Sequence, residues 1–142
     1  MFGQSTITLK SRFKGMPLVR ILIADDHEIF RRGLRSLLES HAEWQVCGEA
    51  VDGQEAVEKV KELRPNVIVL DVGMPRLNGL EATELIRKHS PGSKIVILSQ
   101  YEPLIMMQAA LSAGACAYVT KSEVSQKLMM AIEKIVSPEN CC

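Results

Sequence analysis

The chain has 142 residues and carries 17 basic and 17 acidic side chains, so its formal net charge is zero. This length suits one domain with a sizeable core and is too short for two ordinary domains. The charge balance gives no support for direct nucleic-acid binding. No apolar stretch approaches the roughly 20 residues of a membrane span, and the first residues lack the apolar centre of a secretory signal. We therefore expect a soluble, cytoplasmic protein.

In chain order, short Val- and Ile-rich runs alternate with segments of helical periodicity. Residues 1–15 show no sustained pattern and are predicted to be a flexible leader, followed by one domain over residues 16–137 and a tail at 138–142. The predicted strands cover residues 19–24, 45–49, 67–71, 95–99 and 117–120. The predicted helices cover residues 28–40, 54–63, 80–89, 104–112 and 125–136.

This five-fold strand–helix alternation predicts a doubly wound α/β fold of the flavodoxin-like (βα)5 type. Helices would cover both faces of a parallel sheet in strand order 2-1-3-4-5, giving three α/β/α layers. Strands one and three are neighbours in that order. The side chains that follow the strands should therefore meet at one edge, where Asp25, Asp26 and Asp71 converge and Ser99 and Lys121 flank them.

Three carboxylates this close repel one another, so one of them takes up a proton or a hard divalent cation lies between them. Mg²⁺ is the predicted cation, because it prefers a few carboxylates together with waters and a phosphate. The predicted ligands are Asp25, Asp26, Asp71 and the backbone carbonyl of Gly73. The scattered histidines have no companions at metal-ligand spacing, and none is assigned a catalytic role.

A carboxylate can also attack phosphorus and form an aspartyl phosphate if the charge on the phosphoryl oxygens is neutralised. Mg²⁺, Lys121 and the Ser99 hydroxyl would supply that neutralisation. Each residue also has a purely structural interpretation: Asp25 and Asp26 as helix caps, Asp71 as a turn residue and Lys121 as a solvated strand end. Their joint position at the ends of four strands favours a functional site.

Five separated motifs resemble the receiver (CheY-like) domain of two-component response regulators, most closely of NarL/LuxR-type transcriptional regulators. The similarity covers about residues 18–136. The motifs are Ile23-Ala24-Asp25-Asp26-His27 with Arg32-Gly33-Leu34, Leu70-Asp71-Val72-Gly73-Met74-Pro75 with Asn78-Gly79, Leu98-Ser99, Ala113-Gly114-Ala115, and Tyr118 with Lys121.

The resemblance implies a role for each motif residue. Asp71 would be the phosphoacceptor, Asp25 and Asp26 would hold Mg²⁺, and Lys121 would contact the phosphoryl group. Ser99 would be the switch hydroxyl and Tyr118 the switch aromatic.

The resemblance also implies a signalling switch and not an enzyme with an external substrate. It would receive its phosphoryl group from a sensor histidine kinase, catalyse only its own phosphorylation and dephosphorylation, and form a homodimer when phosphorylated. DNA would be bound only through a helix-turn-helix output domain, for which this sequence has no candidate. We therefore expect a receiver taken from a longer bacterial transcription regulator, with residues 138–142 as the start of its linker.

Three departures from common receivers are visible: Gln100 follows the switch serine, Gly73 has no side chain to position an attacking water, and Ser122 follows Lys121 where proline is frequent. Other functions stay open. A haloacid-dehalogenase-like phosphohydrolase would need a second Asp where Gly73 lies. A flavodoxin-like cofactor binder would place a flavin phosphate against three carboxylates. A third alternative function is that of a stand-alone or phosphorylation-independent protein-interaction module.

Overall fold

The computed structural model describes residues 18–100 and 104–137. The predicted leader and tail, 1–15 and 138–142, lie outside the described residues. The strands are β1 (Val19–Ala24), β2 (Trp44–Ala50), β3 (Val67–Asp71), β4 (Lys94–Ser99) and β5 (Ala117–Thr120). The helices are α1 (Glu28–Glu39), α2 (Gly53–Leu63), α3 (Gly79–His89), α4 (Leu104–Ala113) and α5 (Val124–Val136).

All five strands form one parallel sheet in the order β2-β1-β3-β4-β5, which confirms the predicted fold and topology. In the register, Ala24 pairs with Leu70 and Asp71 pairs with Leu98. β1, β3 and β4 therefore end at nearly the same level. The residue after β1 and the last residue of β3 are brought to one edge of the sheet.

Two apolar clusters fill the space on the two faces of the sheet. One packs β1, β3 and β4 against α1 and α5 through side chains such as Leu34, Leu38, Leu128 and Ile132. The other packs the opposite face against α2, α3 and α4 through Ala56, Val60, Ala82, Ile86 and Ala110. Strand residues alternate between the clusters, as the two-residue period of a strand requires. Burial on both faces explains why the strands are continuous apolar runs.

The element bounds differ from the predicted ones by one residue at several ends, which is the usual scatter of helix and strand termini. One element was not predicted: residues Lys121–Glu123 form a short 3₁₀ helix directly after β5. The Thr120 hydroxyl donates to the Glu123 carboxylate at 2.9 Å across this turn. The turn fixes the backbone from which the Lys121 side chain extends.

Among residues 18–100 and 104–137, none of the helices has the length and apolar character that a membrane span requires.

Candidate functional site at the carboxyl edge of the sheet

Asp25 is the residue that follows β1, and it is fully buried. Its N–H donates to the Ala50 carbonyl at 3.0 Å, which holds its backbone against the end of β2. Its Oδ1 accepts the His27 N–H at 2.8 Å. Its Oδ2 forms an ion pair with Lys121 Nζ at 2.9 Å but accepts no hydrogen bond from any described residue. A buried carboxylate oxygen in this condition is suited to binding a cation.

Asp71 ends β3 and is 5% exposed, facing Asp25 across the sheet edge. Its Oδ1 accepts the backbone N–H of Gly73 at 3.1 Å. Its Oδ2 accepts a hydrogen bond from Lys121 Nζ at 3.2 Å. One oxygen is thus turned toward the loop after β3 and the other toward the lysine. These two hydrogen bonds orient the carboxylate at the edge of a cavity.

Lys121 brings its ammonium between the two buried carboxylates. Its side chain is 12% exposed, and Nζ lies 2.9 Å from Asp25 Oδ2 and 3.2 Å from Asp71 Oδ2. The ammonium also lies 4.6 Å from the centroid of the Phe30 ring on α1, within the range of a cation–π contact. One cation therefore balances part of the negative charge of the site, and the net charge of the site remains negative.

The exposed side chain of His27 lies beside the same cluster. Its Nδ1 is 3.1 Å from Asp25 Oδ1 and 3.2 Å from Asp26 Oδ1. The sequence predicts a solvated or helix-end histidine, and His27 is both exposed and the N-cap of α1. Its contact with both carboxylates was missed, although its position directly after Asp26 was a signal for it.

The electrostatics of the site shift the pKa values of two groups. Burial raises the pKa of the Asp71 carboxyl, and the negative charge of Asp25 raises it further, against the opposing effects of the Gly73 N–H and the Lys121 ammonium. Burial acts to lower the pKa of Lys121, but the carboxylates of Asp25 and Asp71 outweigh burial and raise it. Lys121 is therefore charged at neutral pH.

A cavity of about 130 Å³ opens between these groups, and it is large enough for a phosphoryl group. Its lining residues are His27, Asp71, Val72, Gly73, Ser99, Gln100 and Lys121. Ser99 at the end of β4 is 4% exposed. Tyr118, in contrast, is absent from the cavity lining: it lies on β5 opposite Ile97 and packs, half-buried, beside the cluster under α2, α3 and α4.

The donor set fits Mg²⁺. Ligand atoms of Asp25, Asp26, His27 and Asp71 lie within 4.8 Å of one another, and three of these four residues offer carboxylate oxygens. Hard cations of this kind take oxygen ligands, and the buried Asp25 Oδ2, which is ion-paired with Lys121 but accepts no hydrogen bond within the described residues, is suited to such a partner. The predicted acidic residues are therefore brought together as the topology requires.

The fold agrees with what comparison with known proteins shows. The family model for the response regulator receiver domain matches residues 21–133, so the chain belongs to the response regulator receiver domain family.

Three relatives illustrate the similarity. The transcriptional regulatory protein LnrK of Bacillus subtilis is 37% identical over 120 residues, which cover 84% of this chain and 54% of LnrK. The chemotaxis protein CheY of Thermotoga maritima is 36% identical over 116 residues, covering 82% of this chain and 96% of CheY. The crystal structure of a LuxR-family two-component response regulator from Aurantimonas superposes with a TM-score of 0.80 at 37% identity, covering 83% of this chain and 84% of that one.

The chain spans about half the length of curated relatives such as LnrK and DegU, which are named as transcriptional regulatory proteins. The LuxR-type regulators among the relatives and solved structures confirm the predicted resemblance. The individual roles of Asp71, Lys121, Ser99 and Tyr118 stay predictions.

Proposed function

We propose that this receiver domain is a phosphorylation-controlled switch in which Asp71 accepts a phosphoryl group from a sensor histidine kinase in the cytoplasm. The observation that carries the proposal is the environment of Asp71. It is a buried carboxylate at the edge of a cavity of about 130 Å³, with one oxygen 3.2 Å from a lysine ammonium. Carboxylate, ammonium and a cavity of phosphoryl size together are the requirements for an aspartyl phosphate.

In the proposed step, an Asp71 carboxylate oxygen attacks phosphorus and forms an O–P bond while the P–N bond of the kinase phosphohistidine breaks. The leaving imidazole keeps the bonding electron pair and takes up a proton. Lys121, held by Asp25 and Asp71, donates to a phosphoryl oxygen and offsets the developing charge. Hydrolysis then returns the carboxylate and releases inorganic phosphate.

Mg²⁺, when bound, neutralises phosphoryl oxygens that the single ammonium cannot neutralise alone. We assign its protein ligands to Asp25, Asp26, Asp71 and the carbonyl of Gly73. The proximity of the acidic groups supports this assignment. Gly73 also lines the cavity, and its N–H orients Asp71, so the loop after β3 serves both the carboxylate and the cation.

The switch follows from the added charge. A phosphoryl group brings nearly two negative charges and three acceptor oxygens to the end of β3. The buried Ser99 lies in the cavity lining, where its hydroxyl can donate to one of these oxygens. We assign the readout to rotation of Tyr118 and to the surface of α4, β5 and α5. A homodimer formed through this surface on phosphorylation is the proposed consequence.

Control of transcription is the proposed output in a full-length regulator, with DNA bound by a separate output domain. The names of relatives such as LnrK and DegU support this part of the proposal, since both are called transcriptional regulatory proteins.

The experiment is intact-mass measurement after incubation with acetyl phosphate, with and without Mg²⁺, on the wild-type chain and on Asp71→Asn. We expect a single Mg²⁺-dependent phosphoryl adduct on the wild type and none on Asp71→Asn. Glu84→Gln, an exposed carboxylate change on α3, is the matched control and should accept the phosphoryl group like the wild type.

Absence of any adduct with several small phosphoryl donors would contradict the proposal. A phosphorylation-independent interaction module would then be the better description. An adduct that survives Asp71→Asn would place the phosphoacceptor elsewhere.

A further inference from the structure

The backbone of Asp25 is held from α1 as well as from β2. Arg31, one turn into α1, donates from a guanidinium nitrogen to the Asp25 carbonyl oxygen at 2.8 Å. The Asp25 N–H donates to the Ala50 carbonyl at 3.0 Å. Both backbone polar groups of Asp25 are therefore fixed by groups outside the cavity. The side chains of Asp25 and Asp26 extend from the segment that these two bonds hold.

Arg31 is itself held by Glu49, near the carboxyl end of β2. Its Nε donates to Glu49 Oε1 at 2.6 Å, and its side chain is only 14% exposed. Arg35 binds the second oxygen of the same carboxylate, and Lys59 of α2 donates to the Glu49 carbonyl. Glu49 is thus anchored on three sides, which gives Arg31 one fixed orientation.

Glu49 is ionised at neutral pH. Burial acts to raise the pKa of its carboxyl, but the hydrogen bonds and charges of Arg31 and Arg35 outweigh burial and lower it. A charged carboxylate binding a planar guanidinium is the strong form of this contact. The chain Glu49–Arg31–Asp25 consequently joins the end of β2 to the acidic cluster, although no atom of Glu49 lies in the cavity lining.

We propose that Arg31 and Glu49 are positioning residues for Mg²⁺ binding, acting through the Asp25 carbonyl to hold the carboxylates of Asp25 and Asp26 in place. This inference rests on the proposed function, because it presumes that these carboxylates bind Mg²⁺. Groups that orient metal ligands typically change metal affinity by about 10- to 100-fold when they are removed.

The charge of Arg31 makes the test decisive. Arg31 is a cation next to the proposed Mg²⁺ ligands, so loss of its charge alone strengthens Mg²⁺ binding. Loss of the hydrogen bond that positions Asp25 instead weakens Mg²⁺ binding. The two explanations therefore predict changes in Mg²⁺ affinity of opposite sign for Arg31→Gln. We expect the dissociation constant for Mg²⁺, measured by calorimetry on the full chain, to rise about tenfold.

Arg32→Gln is the matched control. Arg32 is the next residue on α1, and its side chain is 76% exposed and paired with Glu28 at 3.2 Å. Its substitution removes the same charge without touching Asp25. We expect a less than twofold change in Mg²⁺ affinity.

A double-mutant cycle tests whether the pair acts as a unit. Glu49→Gln should also weaken Mg²⁺ binding, and the double variant should bind about as weakly as Arg31→Gln, since both changes release the Asp25 carbonyl. Arg31→Lys keeps the charge but not the two-point contact, so we expect an intermediate loss. It replaces Arg31→Gln if thermal unfolding shows that the latter does not fold.

A purely structural role lowers the Tm of the Arg31 variants and leaves their Mg²⁺ affinity unchanged. That result, in a wild type that binds Mg²⁺ and is phosphorylated, overturns the positioning role alone. A wild type that binds no Mg²⁺ overturns the proposed function and this inference with it.

Discussion

The two edges of the sheet hold their buried polar groups in different ways. At the amino edge, before β3 and β4, each buried hydroxyl has a partner: Ser93 Oγ donates to the Pro65 carbonyl at 2.6 Å and lies 2.8 Å from Ser90 Oγ. The Asn66 side chain accepts the Arg20 N–H at 2.8 Å. The Arg20 guanidinium also donates to the Leu63 carbonyl at 2.7 Å, so hydrogen bonds join neighbouring connections there.

At the carboxyl edge, two buried carboxylates share one ammonium, and Asp25 Oδ2 accepts no hydrogen bond from the described part of the chain. The raised pKa of Asp71 shows that its ionised form is disfavoured there. The comparison shows that the same sheet uses one edge for stability and keeps unfavourable charge at the other. A divalent cation such as Mg²⁺ relieves such charge.

The largest effect on phosphorylation at the carboxyl edge is expected from a substitution of Lys121. In Lys121→Ala, the carboxylates of Asp25 and Asp71 lose the ammonium between them, so the phosphoryl oxygens lose their nearest positive side chain. We expect the rate of adduct formation with acetyl phosphate to fall by about 100-fold or more, as followed by intact mass over time.

Lys61→Ala is the control for Lys121→Ala, since Lys61 lies at an exposed site on α2 and is not in the cavity lining. Its rate should match the wild type. A wild-type rate in Lys121→Ala would show that the Lys121 ammonium does not assist phosphoryl transfer.

A substitution at the amino edge should lower stability and leave the rate of phosphorylation unchanged. Ser93→Ala leaves the buried Pro65 carbonyl without its hydroxyl donor and Ser90 without its partner. We expect a loss of about 1–3 kcal/mol in the free energy of unfolding, measured by denaturant titration. Ser36→Ala, at an exposed site on α1, should change stability little. If folded Ser93→Ala were slow to accept the phosphoryl group, the division between the two edges would fail.

The smallest effect is expected at Gln100, which is exposed at the mouth of the cavity. Gln100→Ala opens the entrance without removing a charge. We expect a few-fold faster formation and loss of the adduct, measured from its lifetime after the donor is removed, and a change in stability within about 0.5 kcal/mol. Unchanged rates would show that Gln100 does not limit access.

Much of the fold and the acidic cluster could be predicted from the sequence because both depend on strand ends. Each short apolar run stops at a polar residue, and these residues are Asp25, Asp71, Ser99 and Lys121. The same stretch of sequence therefore predicts both a strand and a residue of the site. Parallel strands bring those ends together whatever the details of packing.

Contacts that depend on side-chain reach were not predictable in this way. The bonds from Arg31 to Glu49 and to the Asp25 carbonyl depend on how α1 packs against β1 and β2. The 3₁₀ turn after β5 depends on hydrogen bonding of Thr120, which strand periodicity does not register. The contacts of His27 with Asp25 and Asp26 were not predictable because spacing rules for metal ligands do not include a residue adjacent to a carboxylate pair.

The pH dependence of stability follows from the same charge at Asp71. Because the pKa of Asp71 is raised in the folded chain, the folded state holds this proton more tightly than the unfolded state does. The Asp71 carboxyl therefore lowers the free energy of unfolding above its folded-state pKa, and this effect disappears below its unfolded-state pKa. The stabilisation of Asp71→Asn relative to wild type should be largest near neutral pH and should shrink as the pH falls through this window.

Thermal unfolding of wild type and Asp71→Asn at neutral pH, with a chelator and with saturating Mg²⁺, tests the central contrast most directly. With the chelator, Asp71→Asn should unfold at a higher temperature by a few degrees, because a disfavoured charge is gone while Lys121 keeps Asp25 as a partner. Mg²⁺ should raise the wild-type Tm more than that of the variant and narrow or reverse the gap. A variant less stable than wild type with the chelator, and shifted equally by Mg²⁺, would contradict the account.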